Sequence, residues 1–192
     1  MKLMIASDIH GSAYYCRKMI EAFEAEQADK LILLGDVLYH GPRNDLPRDY
    51  APKEVIQMLN SMKEKILCVR GNCEAEVDQM VLEFPVLADY AAILVNGGGE
   101  GEMRTIYITH GHIYNEENLP PLAKGDLLVN GHTHLPALRE HLGNDEAGYV
   151  YMNPGSVAIP KGDSTYSYMV FEDGRFAWKE LETGKEYMKY AL

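Results

Sequence analysis

The side chains best suited to chemistry in this sequence stand just after short apolar runs of strand length. Seven of them share this position: Asp8, His10, Asp36, Asn72, His110, His132 and His134. Carboxylate, amide and imidazole donors without a cysteine favour a borderline-to-hard divalent cation over Ca²⁺ or a thiolate zinc site. Seven donors also exceed the four of a structural zinc site, and they suit two ions about 3.5–4 Å apart. The donor set therefore predicts a binuclear metal centre.

The grouping of these side chains supports one shared site better than any single residue does. An Asp or Asn after a strand is usually a turn former, and a lone His is more often a surface or hydrogen-bonded core residue. Of the seven histidines, however, five lie in the short segments 8–11, 110–112 and 131–134. Because strand ends of an α/β sheet meet at one edge, we expect these donors to converge in one cleft.

The charge of the chain narrows the class of partner. Eighteen Lys and Arg against 29 Asp and Glu give a net charge of −11, which disfavours sequence-independent nucleic-acid binding. The predicted cleft is electropositive by contrast, because the charges of two divalent ions outweigh those of Asp8 and Asp36. A small phosphate ester is therefore a better expectation than a nucleic acid.

The first half predicts the elements that must carry the donors. In order these are strand Leu3–Ala6, helix Cys16–Phe23 capped by Ser12, strand Leu31–Leu34, helix Val55–Met62, strand Ile66–Val69 and helix Val77–Phe84. This βαβαβα order indicates a parallel sheet with crossover helices. The proline-containing stretch Val37–Pro52 predicts a long loop of the functional kind.

The second half predicts strands with antiparallel connections: Ala92–Val95, Thr105–Ile108, Leu127–Val129, Gly148–Asn153, Ser167–Phe171 and Arg175–Leu181. The Asn96–Gly101 stretch lacks the third glycine of a dinucleotide fingerprint and predicts a hairpin turn. Asp173-Gly174 predicts a second hairpin, and Lys185–Leu192 is expected to be a helical turn or frayed. No repeat or change in composition marks a boundary, so one domain is expected over residues 1–192.

Other classes of protein are disfavoured by composition. The chain is 46% hydrophobic and 24% charged, as in soluble globular proteins, and no run approaches the ~20 apolar residues of a membrane span. Cys16, Cys68 and Cys73 follow no zinc or disulfide spacing. We expect a cytoplasmic protein.

The motifs also resemble a known family. In this order, they are Asp8-x-His10, Gly35-Asp36, Gly71-Asn72, His110 and Gly131-His132-x-His134, and the combination resembles the calcineurin-like metallophosphoesterase signature. The likeness runs from Met1 to about Tyr168. It implies an α/β fold in which a two-layer β-sandwich of mixed sheets is flanked by α-helices, with a di-metal site at one end.

The resemblance also implies roles for the donors. One ion would take Asp8, His10 and His134, the other Asn72, His110 and His132, and Asp36 would bridge both. A hydroxide between two such ions would attack the phosphorus of a small phosphodiester. Mn²⁺ is the expected ion, with Zn²⁺, Fe²⁺ and Ni²⁺ as alternatives. The resemblance suggests a dimer or larger homo-oligomer. Independently of it, Asn153–Ile159 and the tyrosine-rich tail are candidates for a partner surface.

Four further residues are candidates for catalysis. Cys73 stands where many family members have a proton-donating His, and a thiol with a pKa near ~8.5 is a poor acid at pH 7. This departure favours good leaving groups and hence diesters. His112 is expected to contact substrate or support the site. Arg43 would clamp a phosphate oxygen or be a solvated loop residue, and His40 would orient a ligand, act as a surrogate acid, or be structural.

Two other functions stay open at this point. A phosphomonoesterase for a small metabolite would use the same metals, although Cys73 argues weakly against it. A non-catalytic scaffold of the same fold is the other alternative, because fold alone does not prove catalysis. A scaffold would not need all seven donors, so a metal-dependent phosphodiesterase is the main hypothesis.

Overall fold

Two mixed β-sheets face one another in the computed structural model, which describes residues 1–97, 101–141 and 148–192. In chain order the elements are β1 Lys2–Ala6, α1 Ala13–Glu26, β2 Lys30–Leu33, α2 Pro52–Asn60, β3 Ile66–Cys68, α3 Glu76–Gln79, β4 Tyr90–Asn96, β5 Met103–Thr109, β6 Leu127–Val129, β7 Ala137–His141, β8 Tyr149–Asn153, β9 Ser167–Glu172, β10 Arg175–Glu180 and β11 Glu186–Ala191. The strand orders are β11-β10-β9-β1-β2-β3 and β4-β5-β6-β8-β7. The expected mixed sheets with flanking helices are thereby confirmed.

Residues Leu3–Ala6 of β1 are all apolar, and their side chains are buried on both faces of the first sheet. Leu3 and Ile5 pack into the core between the sheets, whereas Met4 and Ala6 pack into the core against the helices. Since successive side chains of a strand point to opposite faces, a continuous apolar run is required here. The parallel pairing of β1 with β2 and of β2 with β3 confirms the predicted crossover order.

The first helix begins and ends at defined backbone positions. The Ser12 hydroxyl accepts a hydrogen bond from the Tyr15 amide at 3.2 Å, which confirms the predicted N-cap. Gln27 ends the helix in the left-handed conformation, with φ of 53°. Cys16, Met19 and Phe23 form the buried face, so the apolar spacing predicted the packing correctly.

The structure differs from the prediction at three elements. In place of the predicted helix Val77–Phe84, α3 covers only Glu76–Gln79. Beyond it, the side-chain amide of Gln79 donates hydrogen bonds to the backbone carbonyls of Leu82 and Phe84 at 3.1 and 3.0 Å, which stabilises a non-helical turn. Strand β7 was not predicted. The tail is neither helical nor frayed: it forms β11, which pairs with β10 and packs alternate apolar side chains on the inter-sheet core.

The remaining turns are short connections between strands. The predicted hairpin at Asp173-Gly174 joins β9 to β10 and has φ of 48° and 79° at its two residues. Within the Asn96–Gly101 hairpin, residues 98–100 lie outside the described part of the chain. Among the residues that are described, no helix combines the length and apolarity needed to cross a membrane.

A partly buried group of ion pairs joins the end of α1 to the first sheet. Glu26 lies 3.1 Å from the Lys2 ammonium, accepts a hydrogen bond from Lys179 at 2.5 Å, and accepts another from the Tyr168 hydroxyl at 3.0 Å. Burial opposes ionisation of Glu26, but these donors outweigh it and hold its pKa below the ordinary value. Its contribution to stability is therefore present above pH ~4.3 and is lost as the pH falls through the lowered pKa.

We expect Glu26→Gln to lower the free energy of unfolding at pH 7 by about 1–3 kcal/mol, since charged hydrogen bonds are lost. Urea unfolding from pH 7 down to about pH 2.5 checks the sign, because the difference from wild type must stay constant to about pH 4.5 and shrink below it. The matched control is Glu172→Gln, which removes the exposed partner of Lys2 at 3.5 Å and should cost under about 1 kcal/mol. Equal losses in both variants would contradict this account.

Candidate metal centre

Three of the predicted donors form a buried cluster at the ends of β1 and β6. His134 Nε2 lies 3.3 Å from Asp8 Oδ1, and His10 Nε2 lies 3.6 Å from the same oxygen. The two Nε2 atoms are 3.3 Å apart. All three side chains are buried, and together they form one compact set of potential ligands.

A second cluster lies next to the first and contains the remaining histidines of the predicted set. His110 Nε2 lies 3.0 Å from Asn72 Oδ1 and 3.2 Å from His132 Nδ1. Asp36 stands between the clusters, with Oδ1 at 3.5 Å from His110 Nε2 and Oδ2 at 3.7 Å from the first cluster's His10 Nε2. The structure therefore brings together all seven predicted donors.

Backbone carbonyls set the tautomer of three of these histidines. A carbonyl only accepts hydrogen bonds, so each Nδ1 must donate, and in the neutral ring the Nε2 lone pair is free to bind a metal ion on the cleft side. The pairs are His10 with Tyr39 at 2.8 Å, His110 with Leu34 at 2.7 Å, and His134 with Ile159 at 2.5 Å. This arrangement prepares three imidazoles as ligands.

The chemistry of the clusters fits bound cations. Asp8 Oδ1 is buried and has no hydrogen-bond partner among the described residues. Burial alone would raise the pKa of Asp8, yet the adjoining imidazoles of His10 and His134 hold it well below its ordinary value. Asp8 in turn raises the pKa of His10 against the effect of burial, and a divalent ion bound here would satisfy the carboxylate oxygen in place of an imidazole proton.

Left-handed backbone directs the donors into the cleft. Five of them have positive φ: Asp8 62°, His10 49°, Asp36 54°, His132 64° and His134 60°. Residues other than glycine reach this region at a cost of about 1–3 kcal/mol and persist there when the surrounding structure fixes them. These residues lie in the short loops after the strands, and the left-handed backbone lets one loop direct two donor side chains into the cleft.

Glycines at two strand ends allow the loops to approach closely. A Cβ at Gly71 would lie 2.2 Å from Asp36 Oδ1, and a Cβ at Gly131 would lie 1.9 Å from Ser7 Oγ. Neither contact is sterically allowed, so the spacing between the donor loops depends on the absence of a side chain.

Glu74 is a positioning residue that the sequence reasoning missed. It is buried, and its carboxylate accepts hydrogen bonds from the amides of Asp36, Gly71 and Val37 at 2.9, 2.5 and 2.7 Å. It thus joins the loop after β2 to the loop after β3. Only its place directly after Gly71-Asn-Cys could have signalled this role, since an acidic loop residue is usually solvated.

The segment Asn153–Ile159, suggested above as part of a partner surface, is almost entirely buried. Its side chains support the donor loops instead. The Asn153 amide donates to the Gly131 carbonyl at 2.7 Å, and the Ser156 hydroxyl donates to the Asp8 carbonyl at 3.0 Å. That suggestion was wrong, because the small and polar residues here bond to backbone within the fold.

The other candidate residues occupy different positions around the cleft. Arg43 and Cys73 line a cavity of about 290 Å³ together with five of the seven donors, and Lys161, which the sequence did not suggest, lines it too. His112 lies beside the second cluster, 5.4 Å from His110 between ring centroids. His40 is not among the described residues lining this cavity; its ring packs edge-on against Tyr39 and Tyr50 at 4.7 and 5.2 Å.

The environment of Cys73 keeps its thiol protonated. Sγ lies 3.3 Å from Asp36 Oδ2, and the Cys73 amide donates to Asp36 Oδ1 at 2.9 Å. Burial and then the Asp36 carboxylate raise the pKa of this thiol far above its ordinary value. In the absence of metal, Cys73 therefore orients Asp36 and is not a nucleophile.

The fold and the donor set define a phosphoesterase of the calcineurin-like class. The chain belongs to the calcineurin-like phosphoesterase superfamily, whose domain matches residues 1–173. It is 46% identical to phosphodiesterase YfcE of Escherichia coli strain K12 over 174 residues, which are 90% of this chain and 88% of that protein.

Solved structures agree with this assignment. YfcE, described as a phosphoesterase from E. coli, aligns with a TM-score of 0.90 and 43% identity, over 100% of this chain and 99% of that one. Vps29 from Chaetomium thermophilum, at a TM-score of 0.58 and 11% identity, covers 100% of this chain and 98% of its own. It shares the fold alone.

We expect Glu74→Gln to weaken Mn²⁺ binding by about 10–100-fold, as losses of supporting groups around metal ligands usually do. Both carboxylate oxygens of Glu74 accept hydrogen bonds from backbone N–H groups, whereas a Gln side chain has only one accepting oxygen and its NH2 group would face an N–H donor. Calorimetric titration with Mn²⁺ measures the change, and circular dichroism checks that the variant is folded. Glu76→Gln, an exposed neighbour on α3, is the matched control. Equal affinities in the two variants would rule out the positioning role.

Proposed function

We propose that this protein is a metal-dependent phosphodiesterase with a binuclear centre. The observation that carries the proposal is the Asp36 carboxylate, which stands between two clusters of Asp, Asn and His donors at distances of 3.5 and 3.7 Å. The superfamily membership and the likeness to phosphodiesterase YfcE support the same reaction.

The proposed ligand sets follow the two clusters. Asp8, His10 and His134 would hold one divalent ion, and Asn72, His110 and His132 the other, with Asp36 shared between them. Divalent ions bound there would supply an activated water at neutral pH and would neutralise charge on the phosphate. The oxygen- and nitrogen-rich set favours Mn²⁺, with Zn²⁺, Fe²⁺ and Ni²⁺ as alternatives.

Side chains of the chain itself would bind and orient the diester. Arg43 and Lys161 line the cavity from its exposed side, where their cationic groups can reach non-bridging phosphate oxygens. His112 lies at the edge of the second cluster, and burial followed by the neighbouring His110 lowers its pKa. It would therefore act as a neutral hydrogen-bonding group toward the substrate.

The leaving group is where Cys73 matters. A thiol donates a proton poorly at neutral pH even at its ordinary pKa near ~8.5. The departing oxygen would leave without help from this position, so the enzyme should prefer diesters whose leaving groups are acidic.

Three further expectations from the sequence stay predictions. They are a cytoplasmic location, a homo-oligomer and a single domain over residues 1–192.

We expect metal-stripped protein to be inactive and to hydrolyse bis-p-nitrophenyl phosphate once Mn²⁺ is added. The diester should turn over faster than p-nitrophenyl phosphate, as the likeness to phosphodiesterase YfcE suggests. Release of p-nitrophenolate measures both rates. A faster monoester would favour a phosphomonoesterase, and no turnover with Mn²⁺ bound would favour a non-catalytic scaffold.

We expect Cys73→His to raise kcat/KM for a diester with a poor alkyl leaving group by about 10–100-fold, because general-acid catalysis is worth at least that much. The aryl diester should gain little. Cys73→Ser is the control of similar size without a useful acid. Equal gains for both leaving groups would show that the substitution acts on binding and not on proton transfer.

A further inference from the structure

A second recess of about 320 Å³ opens beside the proposed metal centre. His132 lines both this recess and the metal cavity, so the two spaces meet at one of the proposed ligands. The side chains that characterise the recess are His112, Glu116, Glu117, Asn130, Thr133 and Tyr151. A diester held at the metals could extend one of its two arms into this space.

Asn130 gives the recess an unused hydrogen-bond acceptor. This side chain is only 1% exposed, and its amide nitrogen donates to the Thr109 carbonyl at 3.4 Å. Its Oδ1 has no partner among the described residues. Buried amide oxygens are normally paired, so this oxygen is an acceptor left for an incoming N–H or O–H group.

Glu116 and Glu117 line the recess, and the Arg139 guanidinium paired with Glu116 offsets one of their two negative charges. Glu116 also contacts His141 Nε2 at 2.7 Å. The Arg139 guanidinium lies 4.9 Å above the Tyr151 ring, which fixes this side of the recess. The recess therefore presents acceptors, whereas the metal cavity presents the cations of Arg43 and Lys161.

We propose that the recess binds the non-leaving arm of the diester and selects an arm that carries a primary amine or a hydroxyl group. The inference rests on the proposed phosphodiesterase function. Amines and hydroxyls donate hydrogen bonds to Asn130 Oδ1 and to the Glu116 carboxylate. An arm that carries a second phosphate or a carboxylate is repelled by Glu116 and Glu117.

The test uses p-nitrophenyl diesters that share a leaving group and differ in the second arm: 3-aminopropyl, 3-hydroxypropyl, propyl and 2-carboxyethyl. With Mn²⁺-loaded wild type we expect kcat/KM for the aminopropyl ester to exceed that for the propyl ester by about tenfold. The hydroxypropyl ester should lie between them, and the carboxyethyl ester should be the slowest. The comparison of amine with hydroxyl decides which donor the recess prefers.

Glu116→Gln should reduce the ratio of aminopropyl to propyl kcat/KM by about threefold or more, because the recess loses one carboxylate and the Arg139 guanidinium is left unpaired beside it. Glu117→Gln is a second variant at an exposed side chain, and we expect it to lower the ratio in the same direction without affecting the fold. Glu186→Gln is the matched control, since Glu186 also pairs with an arginine but lies on the β11 edge strand. Its ratio should equal that of wild type.

Calorimetry of the loaded protein with the monoesters 3-aminopropyl phosphate and propyl phosphate gives a reading independent of turnover. We expect the amine to bind about tenfold more tightly in wild type. Equal kcat/KM for the aminopropyl and propyl arms, or a ratio unchanged in both Glu116→Gln and Glu117→Gln, would overturn the proposal. If no diester is hydrolysed, the proposed function fails, and the calorimetric preference still decides whether the recess binds donors.

Discussion

The placement of the Asp36 carboxylate is the constraint on which the rest of the site depends. The Cys73 amide and thiol approach its oxygens at 2.9 and 3.3 Å, and the Glu74 carboxylate fixes its backbone amide at 2.9 Å. Because both residues follow β3 while Asp36 follows β2, these bonds hold two strand ends in register. The two donor clusters then lie on opposite sides of one carboxylate.

The position of the Asp36 carboxylate depends on left-handed backbone conformations and on glycines in the surrounding loops. Positive φ at Asp8 and Asp36, and the lack of a Cβ at Gly71 and Gly131, bring loops from both sheets together. Such strain is tolerated because the strands beneath are packed on both faces of the first sheet. The packing of the apolar strands thus stabilises the fold and also offsets the free energy of the strained backbone at the site.

Much of this arrangement could be predicted from the sequence. The apolar runs before Asp8, Asp36 and Asn72 predicted the parallel strands, and the type and position of the donors predicted their convergence. Local pattern could not reveal Glu74, because its role depends on amides of a different loop. The end of α3 was missed for a similar reason: the Gln79 side chain bonds to carbonyls beyond the helix. Strand β11 depends on pairing with β10.

The central claim is that two ions share Asp36, and the stoichiometry and magnetic coupling of bound Mn²⁺ test it most directly. Metal-stripped protein should bind two Mn²⁺ per chain, and electron paramagnetic resonance should show the exchange-coupled signal of neighbouring ions. Asp36→Asn should lose this coupled signal. A single uncoupled Mn²⁺ per chain at saturation in the wild-type protein would contradict the account.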